Sequence, residues 1–169
     1  MCTIWPNGQN QRLNERGEST VVKFKYRWFR DKSRPSREFR KLPLLQVRLA
    51  HGHNHIDLDC LVDSGAADCI FGTEVAEVLG IDLDRAAETQ YVGIAGEGLT
   101  GRVHPVKLRV QGFSGWIEVE AGFIEVDQIP ILGQSGFFDN YEVRFEGYKK
   151  RFEVKSRPDL QTEKDKYLM

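Results

Sequence analysis

Asp63-Ser64-Gly65-Ala66 is the stretch of this chain best equipped for chemistry. An acid stands where an apolar run, Leu61-Val62, ends, and small residues follow it. Gly65 lets the backbone turn sharply and approach a carboxylate. Backbone N–H groups and the Ser64 hydroxyl can then hold the Asp63 carboxylate in one orientation. A single carboxylate so placed is a weak base at neutral pH. Two of them about 3 Å apart cannot both ionise, so they share one proton. The charged member takes a proton from water, the protonated member polarises a peptide carbonyl, and the pair titrates as a unit.

An Asp-Ser-Gly tripeptide also arises by chance as an ordinary turn, so its surroundings must decide. A strand-like alternation, Ile56, Leu58, Cys60 and Val62 against His55, Asp57 and Asp59, leads into it. Cys69-Ile70-Phe71 follows, and then a predicted helix over about 73–79. Thr73 is its expected cap, Glu74 suits its positive end, Val75, Val78 and Leu79 are its expected apolar face, and Gly80 ends it. Far downstream stands an apolar-apolar-Gly element, Ile131-Leu132-Gly133. Between them lies a glycine-rich stretch, Tyr91-Val92-Gly93-Ile94-Ala95-Gly96. By itself it is a common turn, but a hairpin closing over an extended peptide needs the same glycines for close approach and motion.

The remaining elements are strands. Residues 21–29 alternate as one strand, Arg30 to Lys41 reads as a loop, and Leu44 to Ala50 is a strand before a turn at His51-Gly52-His53-Asn54. Val106, Leu108 and Val110 alternate, as do Ile117, Val119, Ala121 and Phe123. A last hairpin places Tyr141, Val143 and Phe145 opposite Phe152 and Val154. Many short strands with one helix predict a mostly-β, barrel-like domain over residues 20–155. A flexible polar arm is expected at 1–19 and a polar tail at 156–169. No second Asp-Ser-Gly or Asp-Thr-Gly occurs.

Composition narrows the remaining classes. With 169 residues and 40% hydrophobic content, the chain can build one real core. It has no apolar run of membrane-spanning length and no secretory signal at its start, so a cytoplasmic protein without membrane contact is expected. Cys2, Cys60 and Cys69 then read as reduced thiols, the last two buried. Residues 1–41 carry 11 Lys+Arg and 4 Asp+Glu, a balance of +7, which leaves −8 for the remainder of a chain whose net charge is −1. Lys23, Lys25 and Arg27 alternate with Phe24, Tyr26 and Trp28, as on a strand with one solvated face, so no nucleic-acid partner is expected. His51, His53 and His55 would share a face with Asp57 and Asp59 on a continuous strand, but Gly52 and Asn54 favour a hairpin tip, so no metal site is expected.

These pieces together resemble the retropepsin family, the retroviral-type aspartic proteases, and especially its free-standing microbial members. The resemblance rests on Leu61-Val62-Asp63-Ser64-Gly65-Ala66, the glycine stretch at 91–96, Ile131-Leu132-Gly133 and the ending Phe137-Phe138-Asp139-Asn140-Tyr141-Glu142-Val143-Arg144-Phe145, and covers roughly residues 20–155. It implies an acid-protease barrel with the active site at a homodimer interface, cleaving peptide or protein substrates without a cofactor. Asp63 would be the catalytic acid, supported by Ser64, Gly65 and Ala66. Gly93, Ile94, Ala95 and Gly96 would form a substrate-binding flap, and Ile131, Leu132 and Gly133 would pack behind the active-site loop. The chain departs from the pattern at Gln134, where many relatives carry Arg, and at Cys69, where a small hydroxyl residue is frequent. Glu97 adds a charge near the flap tip. The competing reading is a protease-like peptide-binding or assembly module that cleaves nothing.

Overall fold

A computed structural model of the chain describes residues 20–30, 39–92, 98–125 and 129–157. Its strands are β1 (Val21–Lys25), β2 (Arg27–Arg30), β3 (Phe39–Leu42), β4 (Leu44–His51), β5 (Asn54–Val62) and β6 (Ile70–Gly72). After the helix α1 (Thr73–Leu79) come β7 (Ala87–Val92), β8 (Gly98–Val110), β9 (Ile117–Ile124), β10 (Ile131–Leu132), β11 (Tyr141–Glu146) and β12 (Arg151–Ser156).

Six strands close into a ring in the order β4, β5, β10, β6, β9, β8 and back to β4, with β7 paired outside on β8. Closure removes the free edges of an open sheet. The predicted alternations line its interior: Leu45, Val47 and Leu49 on β4, Val106, Leu108 and Val110 on β8, and Ile117, Val119, Ala121 and Phe123 on β9 are all buried. A second sheet, β1-β12-β11, carries the expected last hairpin. There Phe24 stacks on Phe152 with ring centroids 5.3 Å apart.

The expected single strand over 21–29 is instead two. β1 pairs with β12, the chain breaks at Tyr26, whose N–H donates to the Lys150 carbonyl at 2.8 Å, and β2 pairs with β3. Arg30 and residues 39–41 are therefore strand rather than the expected loop. The change of partner also shifts which side chains face inward, so Trp28 is 67% exposed while Phe29 is partly covered.

At α1 the cap is Gly72, in extended geometry and with no side-chain hydrogen bond, and not Thr73, which is already the first helical residue. The buried face is Val75, Ala76 and Leu79, and Val78 is 52% exposed. Gly80 ends the helix in the left-handed region, as expected. Ser156, the expected start of the polar tail, is instead buried, exchanges hydrogen bonds with Thr20 and ends β12. Residues 1–19 and 158–169, which hold Cys2 and most of the two expected tails, lie outside the described residues.

At the far end of β5 from Asp63, His51 pairs with Asn54 across the predicted hairpin tip, and Gly52 adopts φ +57°. Among the described residues no group of three or more His, Cys, Asp and Glu side chains is placed to hold a metal ion. No helix among them is long and apolar enough to cross a membrane. Cys60 and Cys69 are buried free thiols.

Asp57 and Arg48 face each other on β5 and β4 in a two-pronged pair, Nε to Oδ1 and Nη2 to Oδ2, each 2.7 Å. The hydrogen bonds from Arg48 hold the Asp57 carboxyl below the usual aspartate range. A lowered folded-state pKa gives stability that is fully present above the ordinary aspartate value and is lost as pH falls on through the lowered, folded-state value. Asp57→Asn is expected to cost about 1 kcal/mol at pH 7. The gap from the parent should shrink on acidification, as checked by urea unfolding at pH 7 and pH 3; an equal gap at both would contradict it.

Candidate active site

Strand β5 is apolar where it enters the barrel, with Cys60 and Val62 buried, and it delivers Asp63 at its end. The two residues of β10 run parallel to it, Ile131 beside Leu61 and Leu132 beside Val62. On its other side β10 pairs antiparallel with β6 through Ile131 and Ile70. The segment 63–69 must therefore arch from one side of β10 to the other. The Asp63 N–H donates to the Leu132 carbonyl at 3.1 Å, which sets where the arch begins.

Within the arch the Gly65 N–H donates to Asp63 Oδ1 at 2.9 Å, and the Ala66 N–H to the Asp63 carbonyl at 3.2 Å. A Cβ on Gly65 would stand 3.3 Å from the same Oδ1, so glycine leaves the carboxylate its place. Asp63 is partly buried, whereas Ser64 and Gly65 are exposed. The arrangement presents one oriented carboxylate at a surface, backed by the barrel core.

Gly133 holds the arch from below. A Cβ there would lie 2.2 Å from the Asp68 carbonyl oxygen and 2.9 Å from that of Ala66, so no side chain fits. This approach lets the Gln134 N–H reach the Ala66 carbonyl at 2.9 Å and the Ser135 N–H reach that of Ala67 at 2.7 Å. The predicted site residues Asp63, Ser64, Gly65, Ala66, Ile131, Leu132 and Gly133 are thus brought together. The flap residues Gly93, Ile94, Ala95 and Gly96, with Glu97, lie outside the described residues.

Two departures noted in the sequence acquire physical content. Gln134 donates from Nε2 to the Ser64 carbonyl at 2.6 Å, so a neutral amide braces the loop from outside. The Cys69 thiol donates to the Ser135 carbonyl at 3.4 Å, the hydrogen bond a small hydroxyl would make. Burial pushes that thiol up. The hairpin stem of β7 and β8, from Ala87 opposite Val103 to Val92 opposite Gly98, leads to the predicted flap. Its anchor is Tyr91, which the sequence presents only as the first residue of the glycine stretch. The ring of Tyr91 lies so close to Gly101 and Gly122 that a Cβ on either would meet it at 2.7 Å or less. Glycines inside strands are the available signal. Burial raises the Tyr91 phenol, and the charge of Asp68 adds to it.

Gly133→Ala is expected to destabilise the protein by about 2–4 kcal/mol, because backbone rather than a mobile side chain stands in the way. A urea midpoint equal to the parent's would contradict this account of the arch.

The aspartyl protease family model matches residues 46–135, which contain both limbs of the site. A retropepsin-like aspartic protease from Rickettsia conorii is similar in structure, with a TM-score of 0.50 and 15% identity over 82% of this chain and 94% of that one. The EIAV protease complexed with the inhibitor HBY-793 also matches, with a TM-score of 0.43 and 23% identity over 56% of this chain and 83% of that one. No curated protein matches the chain.

Proposed function

The chain belongs to the aspartyl protease family, with a retropepsin-like fold, and from that premise we propose that it is an endopeptidase acting as a C2 homodimer. One observation carries the reading: a single, partly buried Asp63 carboxylate, oriented by the Gly65 N–H, at the start of an arch clamped onto β10 whose crown, Ser64 and Gly65, is exposed. Peptide hydrolysis by carboxylates needs two of them, and the sequence holds one Asp-Ser-Gly. Two copies related by a two-fold axis through the crown supply the pair.

The chemistry then follows. The ionised Asp63 takes a proton from water as the water oxygen bonds to the peptide carbonyl carbon. The protonated Asp63 of the second copy gives its proton to the carbonyl oxygen. The first Asp63 then passes its new proton to the peptide nitrogen, the second takes a proton back from one hydroxyl of the tetrahedral carbon, the C–N bond breaks, and a carboxylic acid and an amine leave. No metal or cofactor enters these steps. The substrate lies extended under the hairpin of β7 and β8, where Val92 and Leu99 are exposed apolar side chains on the stem. Cys60 and Cys69, both free and buried, support a reducing, cytoplasmic setting.

Asp63→Asn is expected to keep fold and dimer while peptide cleavage falls by roughly a thousandfold or more. Product analysis of a peptide library near pH 5–6 reads it. Undiminished cleavage in the variant removes Asp63 from the mechanism; a folded parent dimer that cleaves nothing across several pH values favours the silent binding module. Gln134→Ala frees the Ser64 carbonyl from its brace, and kcat should fall roughly tenfold with little change in KM. Parental kcat in that variant would reduce Gln134 to a surface residue.

A further inference from the structure

Strands β2 and β3 form a ribbon that pairs with no third strand among the described residues. Two strands alone are marginal in water and need a covered face. One face is tied to the barrel: Arg27 is ion-paired with Asp59 of β5, and Phe29 and Leu42 are partly buried. The other face is open. Residues opposite each other in an antiparallel ribbon point the same way, which places Trp28 and Lys41 together with Arg30 and Phe39. The Lys41 ammonium lies 5.1 Å from the Trp28 ring centroid, and the Arg30 guanidinium 5.9 Å from that of Phe39. Trp28 and Phe39 are 67% and 61% exposed. None of the ribbon's eight strand residues is acidic.

The base of the ribbon stands beside the candidate site. β3 passes through Pro43, whose carbonyl accepts from the Val62 N–H at 3.1 Å, one residue before Asp63. We propose that the face formed by Trp28, Arg30, Phe39 and Lys41 docks on a second copy of this chain and forms part of the homodimer contact, an inference that rests on the two-carboxylate reading above. A second copy must approach at this place if two Asp63 side chains are to meet. Charge selects the same occupant: four of the ribbon's eight residues are Lys or Arg, and residues 42–169 balance at −8, so a cationic ribbon from one copy suits an acidic body in the other. The two-fold axis uses each contact twice. Exposed Trp with Arg is also the composition of energetic centres in protein contacts.

The test is sedimentation velocity on the full chain as parent, as Trp28→Ser/Phe39→Ser and as Arg30→Glu/Lys41→Glu, with circular dichroism to establish that each is folded. The parent should dimerise, more weakly at high salt. Both variants should dimerise roughly a hundredfold more weakly, with cleavage lost at low protein concentration and regained at high. Should the serine variant unfold, the charge-reversed variant, which keeps both rings, carries the test. Variants that dimerise like a dimeric parent overturn the proposal and leave the two-carboxylate reading standing. A parent that stays monomeric overturns both. Dimerisation unaffected by the variants, with loss of binding to phosphatidylserine vesicles or to a single-stranded oligonucleotide, reassigns the face and overturns the second copy as its occupant.

Discussion

The backbone at Gly133 runs so close to the carbonyls of Ala66 and Asp68 that a methyl group has no room, and the shape of the site follows from that contact. A buried backbone group must find a partner, and here one short segment supplies several. Leu132 accepts from Asp63, while Gln134 and Ser135 donate to Ala66 and Ala67. The arch from Asp63 to Asp68 is thereby held at its start and along its returning limb without a long helix or a disulfide. Gly65 can then spend its N–H on the Asp63 carboxylate, because the backbone around it has no freedom left to turn away. A larger residue at 133 would press β10 and the arch apart, and the orientation of a carboxylate several residues away would change with it.

The closed barrel gives that contact its rigidity. β10 contributes two residues, too few to persist alone, yet it is wedged between β5 and β6 inside a ring of six strands. Its Leu132 is fully buried among residues of a core that also holds Phe71, Phe123 and Phe137. Tyr91 covers Gly101 and Gly122 and fixes the stem of the β7–β8 hairpin. Tyr91 pairs with Leu99 one residue before Val92, so the stem is held close to its tip end.

Much of this was legible in the sequence, for reasons that also explain the failures. Strands β4, β8 and β9 each bury one face along several residues, so their alternation reads directly. The helix end at Gly80 reads because a left-handed residue favours glycine. Its start did not, since an extended glycine can cap a helix without offering a side-chain oxygen, and Thr73 looked the better candidate. The run from Val22 to Trp28 keeps its alternation in the sequence, but the chain changes partner at Tyr26, and no local pattern announces a pairing with Lys150 so far along the chain. At the site, Asp63 and Gly65 were readable by residue type. Gln134 was visible only as a departure, because its brace to the Ser64 carbonyl depends on two loops meeting in space.

The exposure of the crown argues for an incomplete site. A structural Asp-Ser-Gly turn has no need to lift its acid on an arch, nor to clamp that arch with a glycine that admits no substitute. Here the clamp holds a partly buried carboxylate beside Ser64 and Gly65, which are open to solvent. Holding a group rigidly costs conformational freedom, and the expense is useful when something must meet it in register. For a carboxylate that serves as base, the natural counterpart is a carboxylate that serves as acid, and a symmetric pair supplies both from one sequence once a single proton is shared. On the proposed contact, the ribbon beside Val62 has a reason to be both cationic and aromatic: four of its eight residues are Lys or Arg, and residues 42–169 of a second copy balance at −8.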